Sequence, residues 1–228
     1  METFKIVLLG ESGVGKTSIL SQFIEQTYQE DIQSSTGGTF SSKTLIIGNN
    51  KLLKFEIWDT AGQERYRSLT TMFYKEANAA ILVYDITRTD SYQELKDYWA
   101  NQVKESAPEN IILVVCANKS DLIKEEKVDE DEAREFANNI GAIFCITSAK
   151  NSAGINDLFI QIAKKHTGCD NIRIKNEDED IVIEEVNKND NNNNKAGTIK
   201  IDNDNVNYKV VKKKNIMIMN VFFTKENF

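Results

Sequence analysis

Four segments of the chain are almost continuously apolar and are separated by segments of a different pattern. They span 4–9, 79–84, 111–117 and 142–146. Strands that are covered on both faces of a parallel sheet have this pattern, because neither of their faces meets water. We therefore predict four buried strands that lie side by side in one parallel sheet.

A second pattern occupies 40–58, where apolar and polar residues alternate. Leu53, Phe55 and Ile57 alternate with charged neighbours, and a Gly-Asn-Asn sequence at 48–50 divides the segment in two. Alternation predicts strands with one buried face, and the short polar interruption predicts a hairpin turn. The segment therefore contributes two antiparallel strands to the predicted sheet.

Apolar residues recur at helical spacing in the segments between these strands. The recurring positions are Ile19, Leu20, Phe23 and Ile24; Tyr92, Leu95, Trp99 and Val103; Ala133, Phe136, Ala137 and Ile140; and Ile155, Leu158, Phe159 and Ile162. Each set lies on one face of a helix, which can then cover a face of the sheet. The alternation of strands and helices predicts a three-layer α/β fold, with a six-stranded, mostly parallel sheet and about five flanking helices.

The pattern changes after residue 167. Helical periodicity ends, acidic and Asn-rich segments follow one another, and 191–194 are all asparagine. Such a composition cannot bury enough apolar surface to fold. We therefore predict a folded domain over 1–167 and a low-complexity, disordered tail over 168–228. The alternative is a small second domain, for which 181–183 and 206–211 are the candidate strands.

Composition and charge narrow the possible functions. The chain is 40% hydrophobic and 28% charged, which is ordinary for a globular protein, and its net charge is −7, so no nucleic-acid partner is expected. The three cysteines have neither the spacing of a metal site nor the density of a disulfide scaffold, which favours a reducing, cytoplasmic setting. The apolar runs are too short for a signal peptide or a membrane span.

Candidate chemistry begins where the first strand ends, in the sequence GESGVGKTS at 10–18. In the pattern of Gly, four residues and Gly-Lys-Thr, glycines let backbone N–H groups surround phosphate oxygens. Lys16 then reaches the β- and γ-phosphates, and Thr17 ligates magnesium through its hydroxyl. The predicted phosphate-binding residues are Ser12, Gly13, Val14, Gly15, Lys16, Thr17 and Ser18. The alternative is an ordinary glycine-rich turn, but a strand before and an amphipathic helix after the loop favour a P-loop NTPase.

The strand that ends near Trp58 is followed by Asp59-Thr60-Ala61-Gly62-Gln63. In an α/β sheet, ligands bind beyond the carboxyl ends of the strands, so these residues fall at the predicted site. The carboxylate of Asp59 can hold magnesium through a water, and the N–H of Gly62 can sense a γ-phosphate. Gln63 is placed to orient an attacking water and is the predicted catalytic residue. Helix capping is the alternative for Asp59 taken alone.

Two further strand ends carry the sequences NKSD at 118–121 and TSAK at 147–150. The carboxylate of Asp121 can accept hydrogen bonds from N1–H and N2–H of guanine, a pair of donors that adenine lacks. Backbone N–H groups of the second sequence can meet guanine O6, while Lys150 packs along the base. The predicted base-binding residues are Asn118, Lys119, Asp121, Leu122, Ser148, Ala149 and Lys150. The site is therefore predicted to select guanine nucleotides.

These motifs, together with WDTAGQERYRSL and FYKEANAAILVYDIT, resemble those of Rab-type small GTPases of the Ras superfamily, and the resemblance covers residues 1 to about 167. It implies a switch that binds GTP or GDP with Mg²⁺, hydrolyses GTP and regulates vesicle traffic. Within the family, the resemblance favours the endosomal members. It also implies a monomer whose partners are exchange factors, GTPase-activating proteins and effectors. No arginine is obviously placed as a catalytic finger, so we expect slow intrinsic hydrolysis and dependence on an activating protein.

The resemblance also assigns four aromatic residues outside the loops. It implies that Tyr28 flanks the guanine edge-on. It further implies that Phe40, Trp58 and Phe73 form an aromatic surface that effector proteins recognise. Plain core packing is the alternative for these aromatic side chains.

One departure from the family falls in the first mobile loop, 29–39. The family usually has Thr-Ile-Gly there, whereas this chain has Ser-Ser-Thr-Gly-Gly at 34–38. Counting without gaps from Lys16 places Ser35 at the metal position, and a shift by one residue places Thr36 there. We favour Ser35, so the predicted magnesium ligands are Thr17, Ser35 and Asp59. Because the glycines add entropy that ordering must remove, the alternative function is a nucleotide-binding scaffold that does not switch. A small-molecule kinase or ATPase is disfavoured by the NKSD sequence.

The second departure concerns the C-terminus. Rab proteins usually end in one or two cysteines that carry geranylgeranyl groups, whereas this chain ends Thr-Lys-Glu-Asn-Phe and has no prenylation cysteine. Two interpretations are open: a soluble variant with a different anchor, or a gene model misread after Lys214. The second is favoured, because a basic run followed by cysteines is the usual family ending. We expect a cytoplasmic protein with peripheral association to endomembranes if a lipid anchor exists.

Overall fold

The computed structural model describes residues 1–30, 38–60 and 74–175 and the backbone of 216–217, all within one compact unit. The strands are β1 (Glu2–Leu9), β2 (Thr39–Ile47), β3 (Lys51–Asp59), β4 (Ala79–Asp85), β5 (Ile112–Asn118), β6 (Ile143–Ile146), β7 (Ile172–Ile174) and β8 (Ile216–Met217). The α-helices of the described residues are α1 (Lys16–Glu25), α2 (Thr89–Glu94), α3 (Ala100–Ser106), α4 (Glu130–Asn139) and α5 (Ile155–Thr167). A π-helical turn (Leu95–Trp99) joins α2 to α3, and a 3₁₀ segment (Ser120–Glu125) follows β5.

The strands form one sheet in the order β6-β5-β4-β1-β3-β2-β7, with β8 also paired to β2. The five strands from β6 to β3 in this order are parallel to one another, and β2 is antiparallel to β3, β7 and β8. The α/β architecture and the predicted hairpin are confirmed. Parallel strands point their carboxyl ends to the same edge, so the loops after β1, β3, β4, β5 and β6 meet there.

Two of the eight strands lie beyond the six that the sequence predicts. Ile172 and Ile174 of β7 are half-buried, and the strand pairs with residues 45–47 of β2. Three residues are too few to show a periodic pattern, and they form a strand because the outer edge of β2 is open to pairing. The residues just after 167 therefore continue the sheet. The predicted division at 167 stays a prediction, and the candidate strands at 181–183 and 206–211 lie outside the described residues.

Both faces of the sheet are covered, and each face has its own hydrophobic cluster. On one face α1 and α5 pack together, and the rings of Phe23 and Phe159 stack with their centroids 3.7 Å apart. On the other face, Tyr92, Trp99 and Val103 from the α2–α3 segment are buried against β4 and β5. The predicted helical faces are confirmed. Among the described residues, no helix combines the length and apolar character that a membrane span needs.

The sequence predicts that β6 is buried on both faces, but the structure shows that it is partly exposed. β6 is the last strand on its side of the sheet, and the side chain of Ile146 is 39% exposed. Strand β4, which lies in the middle, is buried at every residue. The apolar run at 142–146 therefore marks a strand correctly but does not distinguish an edge strand from a central one, because one face of β6 still packs on the core.

Candidate functional site

The loop between β1 and α1 has a backbone that only glycine fits. Gly10 has φ = 141°, and a Cβ atom there would lie 2.2 Å from the carbonyl oxygen of Val83. Gly15 has φ = 98°, and a Cβ atom there would lie 2.3 Å from Nδ2 of Asn118. Both contacts are far closer than atoms can approach, so the loop needs glycine at these positions. The 10–18 sequence therefore forms the tight turn that a phosphate loop requires.

Two side chains hold carbonyl groups of this loop, one from the loop itself and one from the end of β5. Nζ of Lys16 donates to the carbonyl oxygens of Gly10 and Glu11, both at 2.9 Å, and Nδ2 of Asn118 donates to that of Val14 at 2.8 Å. In a trans peptide the carbonyl and the following N–H point in opposite directions. The Asn118 contact therefore turns the N–H of Gly15 to the other side of the loop. A set of N–H groups turned to one side suits an anion.

Lys16 and Asp59 are two opposite charges buried beneath the loop. Burial lowers the pKa of Lys16, and the negative charges of Asp59 and Glu11 oppose that shift. Burial raises the pKa of Asp59, and Lys16 and a hydrogen bond from Thr17 oppose it. Charged groups in such a position attract a ligand of opposite charge strongly, because little solvent screens them. Phosphate is therefore favoured beside Lys16, and a cation beside Asp59.

The oxygens beside Asp59 fit a magnesium ion. Asp59 is fully buried, and its Oδ2 accepts a hydrogen bond of 2.5 Å from the hydroxyl of Thr17. Its Oδ1 is buried and has no hydrogen-bond partner among the described residues. Carboxylate and hydroxyl oxygens are ligands that Mg²⁺ accepts, and it usually takes few protein ligands together with substrate phosphates. The described residues contain no cluster of three or more His, Cys, Asp or Glu side chains, so the ion would depend on the nucleotide for its remaining ligands.

The two predicted base-binding loops lie side by side after β5 and β6. The hydroxyl of Ser148 donates to Oδ1 of Asp121 at 2.5 Å, which fixes the carboxylate between the loops. The hydroxyl of Thr147 donates to Oδ1 of Asn118 at 3.1 Å and contacts the thiol of Cys116 at 3.1 Å. Asn118 thus connects the 147–150 loop to the phosphate loop. The structure brings the predicted base and phosphate loops into one network.

Two lysines of these loops make ion pairs. Lys119 has the unusual φ of 67°, and its ammonium lies 2.7 Å from Oδ2 of the buried Asp85. Burial acts to raise the pKa of Asp85, but hydrogen bonds from Lys119 and Thr87 outweigh it and lower the pKa. The exposed Lys150 lies 3.2 Å from Glu30, the residue before the first undescribed segment. Each ion pair therefore connects a lysine of the predicted base site to a neighbouring segment, Lys119 to the end of β4 and Lys150 to Glu30.

The remaining predicted residues fall in three groups. Ala149 is buried at the start of its loop, and Leu122 lies in the 3₁₀ segment. Tyr28 is 38% exposed, which leaves its ring accessible to a ligand. Phe40 and Trp58 face each other across β2 and β3, with ring centroids 5.0 Å apart, and both are half-buried. Ser35, Thr36, Gly62, Gln63 and Phe73 lie outside the described residues, so their roles stay predictions.

The sequence analysis does not identify two residues at the end of β4. Asp85 pairs with Lys119, and Nη1 of Arg88 donates to the carbonyl oxygen of Ser12 at 3.0 Å. Asp85 lies within the FYKEANAAILVYDIT sequence, which carries the resemblance but assigns no role to this residue, and Arg88 directly follows that sequence. The signal available in the sequence is positional, because β4 is a parallel strand and its carboxyl end must reach the same edge as the phosphate loop.

Comparison with known protein sequences identifies the family. A sequence model of the Ras family matches residues 5–167. The chain is 43% identical over 170 residues to Ras-related protein Rab-22A of Homo sapiens, an alignment that covers 75% of this chain and 87% of that protein. It is 45% identical over 161 residues to Ras-related protein Rab-31 of Mus musculus, covering 71% of this chain and 82% of that protein.

Proposed function

The chain belongs to the Ras family and is a Rab-type small GTPase, and on that premise we propose which of its residues bind the nucleotide and the metal, and where it acts. Membership means that it binds guanine nucleotide, hydrolyses GTP to GDP and acts as a switch in membrane traffic. Exchange factors, GTPase-activating proteins and effectors are the general partners of the family. The observation that carries the finer proposal is the meeting of Lys16, Thr17 and Asp59 beneath one glycine-rich loop.

The nucleotide is held at its two ends by different loops. Backbone N–H groups of residues 12–18 and the ammonium of Lys16 bind the β- and γ-phosphates. Asp121 accepts the N1–H and N2–H of guanine, and the 2.5 Å bond from Ser148 supports this role because it orients the carboxylate. The base-binding set also includes Tyr28, Asn118, Lys119, Leu122, Ala149 and Lys150. Adenine would leave the Asp121 carboxylate facing an acceptor, which discriminates strongly against ATP.

Thr17 and Asp59 would hold a magnesium ion in both nucleotide states, and Ser35 would join them when GTP is bound. Such an ion would supply positive charge that stabilises the phosphates during transfer. The unpartnered buried Oδ1 of Asp59 supports this assignment, because a buried carboxylate oxygen without a donor is costly.

Hydrolysis needs groups that lie outside the described residues. Gln63 orients the attacking water, and the N–H of Gly62 binds the γ-phosphate. Arg88 contacts the phosphate loop, but its guanidinium is bonded to Asp90 and the Ser12 carbonyl. An activating protein therefore supplies the arginine finger, which is worth roughly 10³ to 10⁵ in rate.

Exchange of Gln63 for Leu tests this hydrolysis scheme. We expect Gln63→Leu to slow turnover stimulated by a Rab-directed activating protein by about 100-fold or more, because the water loses its orienting group. The affinity for GDP should change less than about twofold, since the phosphate and base loops are intact. The measurement is single-turnover phosphate release, with Gln93→Leu on α2 as the matched control. Undiminished stimulated turnover in Gln63→Leu would remove this residue from its role.

The place of action follows from the same premise. We assign the protein to the cytoplasm and, if a lipid anchor exists, to peripheral association with endomembranes, among these endosomes. The sequences around 54–58, 64–69 and 82–87 resemble endosomal members of the family, which supports the choice. Phe40, Trp58 and Phe73 form the surface that reports the nucleotide state to effectors. The packing of Phe40 on Trp58 supports a continuous aromatic patch.

A further inference from the structure

Arg88 lies in the loop after β4, at a strand end that the proposed function does not use. Its N–H donates to the carbonyl oxygen of Asp85 at 2.9 Å, and its own carbonyl accepts a bond of 2.8 Å from the hydroxyl of Ser91. Asp85 is itself held by Lys119 and by two bonds from Thr87. The backbone of Arg88 is therefore fixed relative to the base-binding loop.

The side chain of Arg88 is fixed as well. Its Nε and Nη2 donate to the two carboxylate oxygens of Asp90, at 3.3 and 2.6 Å. A guanidinium is planar, so the bonds to Asp90 along one edge determine where the other edge points. That edge meets the phosphate loop, where Nη1 donates to the carbonyl oxygen of Ser12 at 3.0 Å. Asp90 thus aims Arg88 at the loop.

The contact with Ser12 determines how the next peptide group is turned. Gly13 has φ = 79°, and a Cβ atom there would lie 3.7 Å from Nη1, so the guanidinium rests against this turn. The Ser12 carbonyl and the Gly13 N–H belong to one trans peptide group, so they point in opposite directions. Because Arg88 holds the carbonyl, the Gly13 N–H points to the other side of the loop. The Asn118 bond to Val14 acts on Gly15 in the same way.

We propose that Arg88 is a positioning residue for phosphate binding, which keeps the Ser12–Gly13 peptide turned towards the β-phosphate and so slows the release of guanosine di- and triphosphates. The inference rests on the proposed nucleotide site. Residues 12 and 13 belong to the part of a phosphate loop that surrounds the β-phosphate. A ligand without a β-phosphate gains nothing from the arrangement, so GMP should bind with the same affinity whether or not Arg88 is present.

Three full-length variants test the proposal through GDP dissociation, measured with a fluorescent GDP, and GMP affinity, measured by competition. In Arg88→Ala we expect GDP to dissociate about tenfold faster, which corresponds to about 1.4 kcal/mol, while the affinity for GMP changes less than about twofold. In Arg88→Lys we expect an intermediate rate, because an ammonium keeps the charge but lacks the planar fork that bonds Asp90 along one edge and Ser12 along the other. Arg134→Ala removes an ion pair with Glu130 and a cation–π contact with Phe144, neither of which involves the phosphate loop, and should behave as wild type.

Several outcomes would overturn the proposal. A GDP dissociation rate in Arg88→Ala within about twofold of wild type would do so. An equal loss of GDP and GMP affinity would also do so, since it indicates general loosening of the fold. If Arg88→Ala does not fold, Arg88→Lys decides, and a wild-type rate in that variant counts against the proposal. Failure of the wild-type protein to retain GDP would instead overturn the nucleotide site itself, and the role of Arg88 with it.

Discussion

At the scale of single residues, Asp59 best illustrates how the fold prepares for a ligand. The side chain is fully buried, one oxygen accepts a bond from Thr17, and the other has no partner among the described residues. Burial raises the pKa of this carboxyl group despite the nearby Lys16. A carboxylate in this position is stabilised when a cation binds, and the phosphates of a nucleotide bring the other ligands.

The exchange of Asp59 for Asn tests that interpretation. Asparagine keeps an oxygen that accepts the Thr17 bond but loses the charge that attracts Mg²⁺. In the wild type, removal of Mg²⁺ with a chelator should speed GDP dissociation by about tenfold or more. In Asp59→Asn, dissociation should already be fast, and the chelator should change it less than about twofold. Stopped-flow fluorescence measures both rates.

The exposed Asp131 on α4 supplies a matched control. Asp131→Asn should keep the full response to the chelator, because it changes the net charge equally but lies away from the phosphate loop. A full chelator response in Asp59→Asn would show that the ion does not depend on this carboxylate.

The same scale shows what the sequence can predict about the site. Asp59, Asp121 and Ser148 follow strands in motifs with characteristic spacing, so their grouping at one edge could be predicted. Arg88 and Asp85 could not be assigned in this way. Their partners, Ser12 and Lys119, are distant along the chain, and only the packing of β4 between β1 and β5 brings them together.

At the scale of elements, the sequence predicts best those strands and helices whose apolar residues recur at a regular spacing. The hairpin of β2 and β3 and the helix α5 have the predicted faces, because one side of each meets the core and the other meets solvent. Strand β7 is not predicted, since its three residues form a strand only through pairing with β2. Its assignment depends on a distant partner rather than on local pattern.

Two truncations test the contribution of β7. A chain that ends at residue 175 keeps β7, the bond from Gly48 N–H to the Asn171 carbonyl and the bond from Lys175 N–H to the Thr44 carbonyl. A chain that ends at residue 167 loses them and exposes apolar surface on β2. We expect the shorter chain to have a free energy of unfolding lower by about 1–3 kcal/mol, measured by urea denaturation with GDP bound.

The chain that ends at 175 acts as the control for removing the tail. Its affinity for GDP should equal that of the full-length protein, because every residue proposed for the nucleotide site lies before position 176. Equal stability of the two truncated chains would show that β7 does not contribute to the fold's stability.

At the scale of the whole molecule, the described residues form a frame, and the two loops predicted to respond to the nucleotide lie mostly outside it. The frame carries the phosphate loop and both base-binding loops, joined by the bonds of Asn118 to Val14 and of Thr147 to Asn118. The loops predicted to respond to the γ-phosphate span 29–39 and 61–75, and residues 31–37 and 61–73 of them lie outside the described residues. The residues proposed to select the base therefore all lie in the described part of the chain.

The most direct test of the account is competition for the bound nucleotide. Purified protein loaded with fluorescent GDP is equilibrated with unlabelled GTP or ATP in the presence of Mg²⁺, and the fluorescence that remains is measured. Asp121 predicts that GTP displaces the label at comparable concentration and that ATP does not displace it even at about 1,000-fold excess. Displacement by ATP at a concentration comparable to that of GTP would contradict the guanine-nucleotide switch.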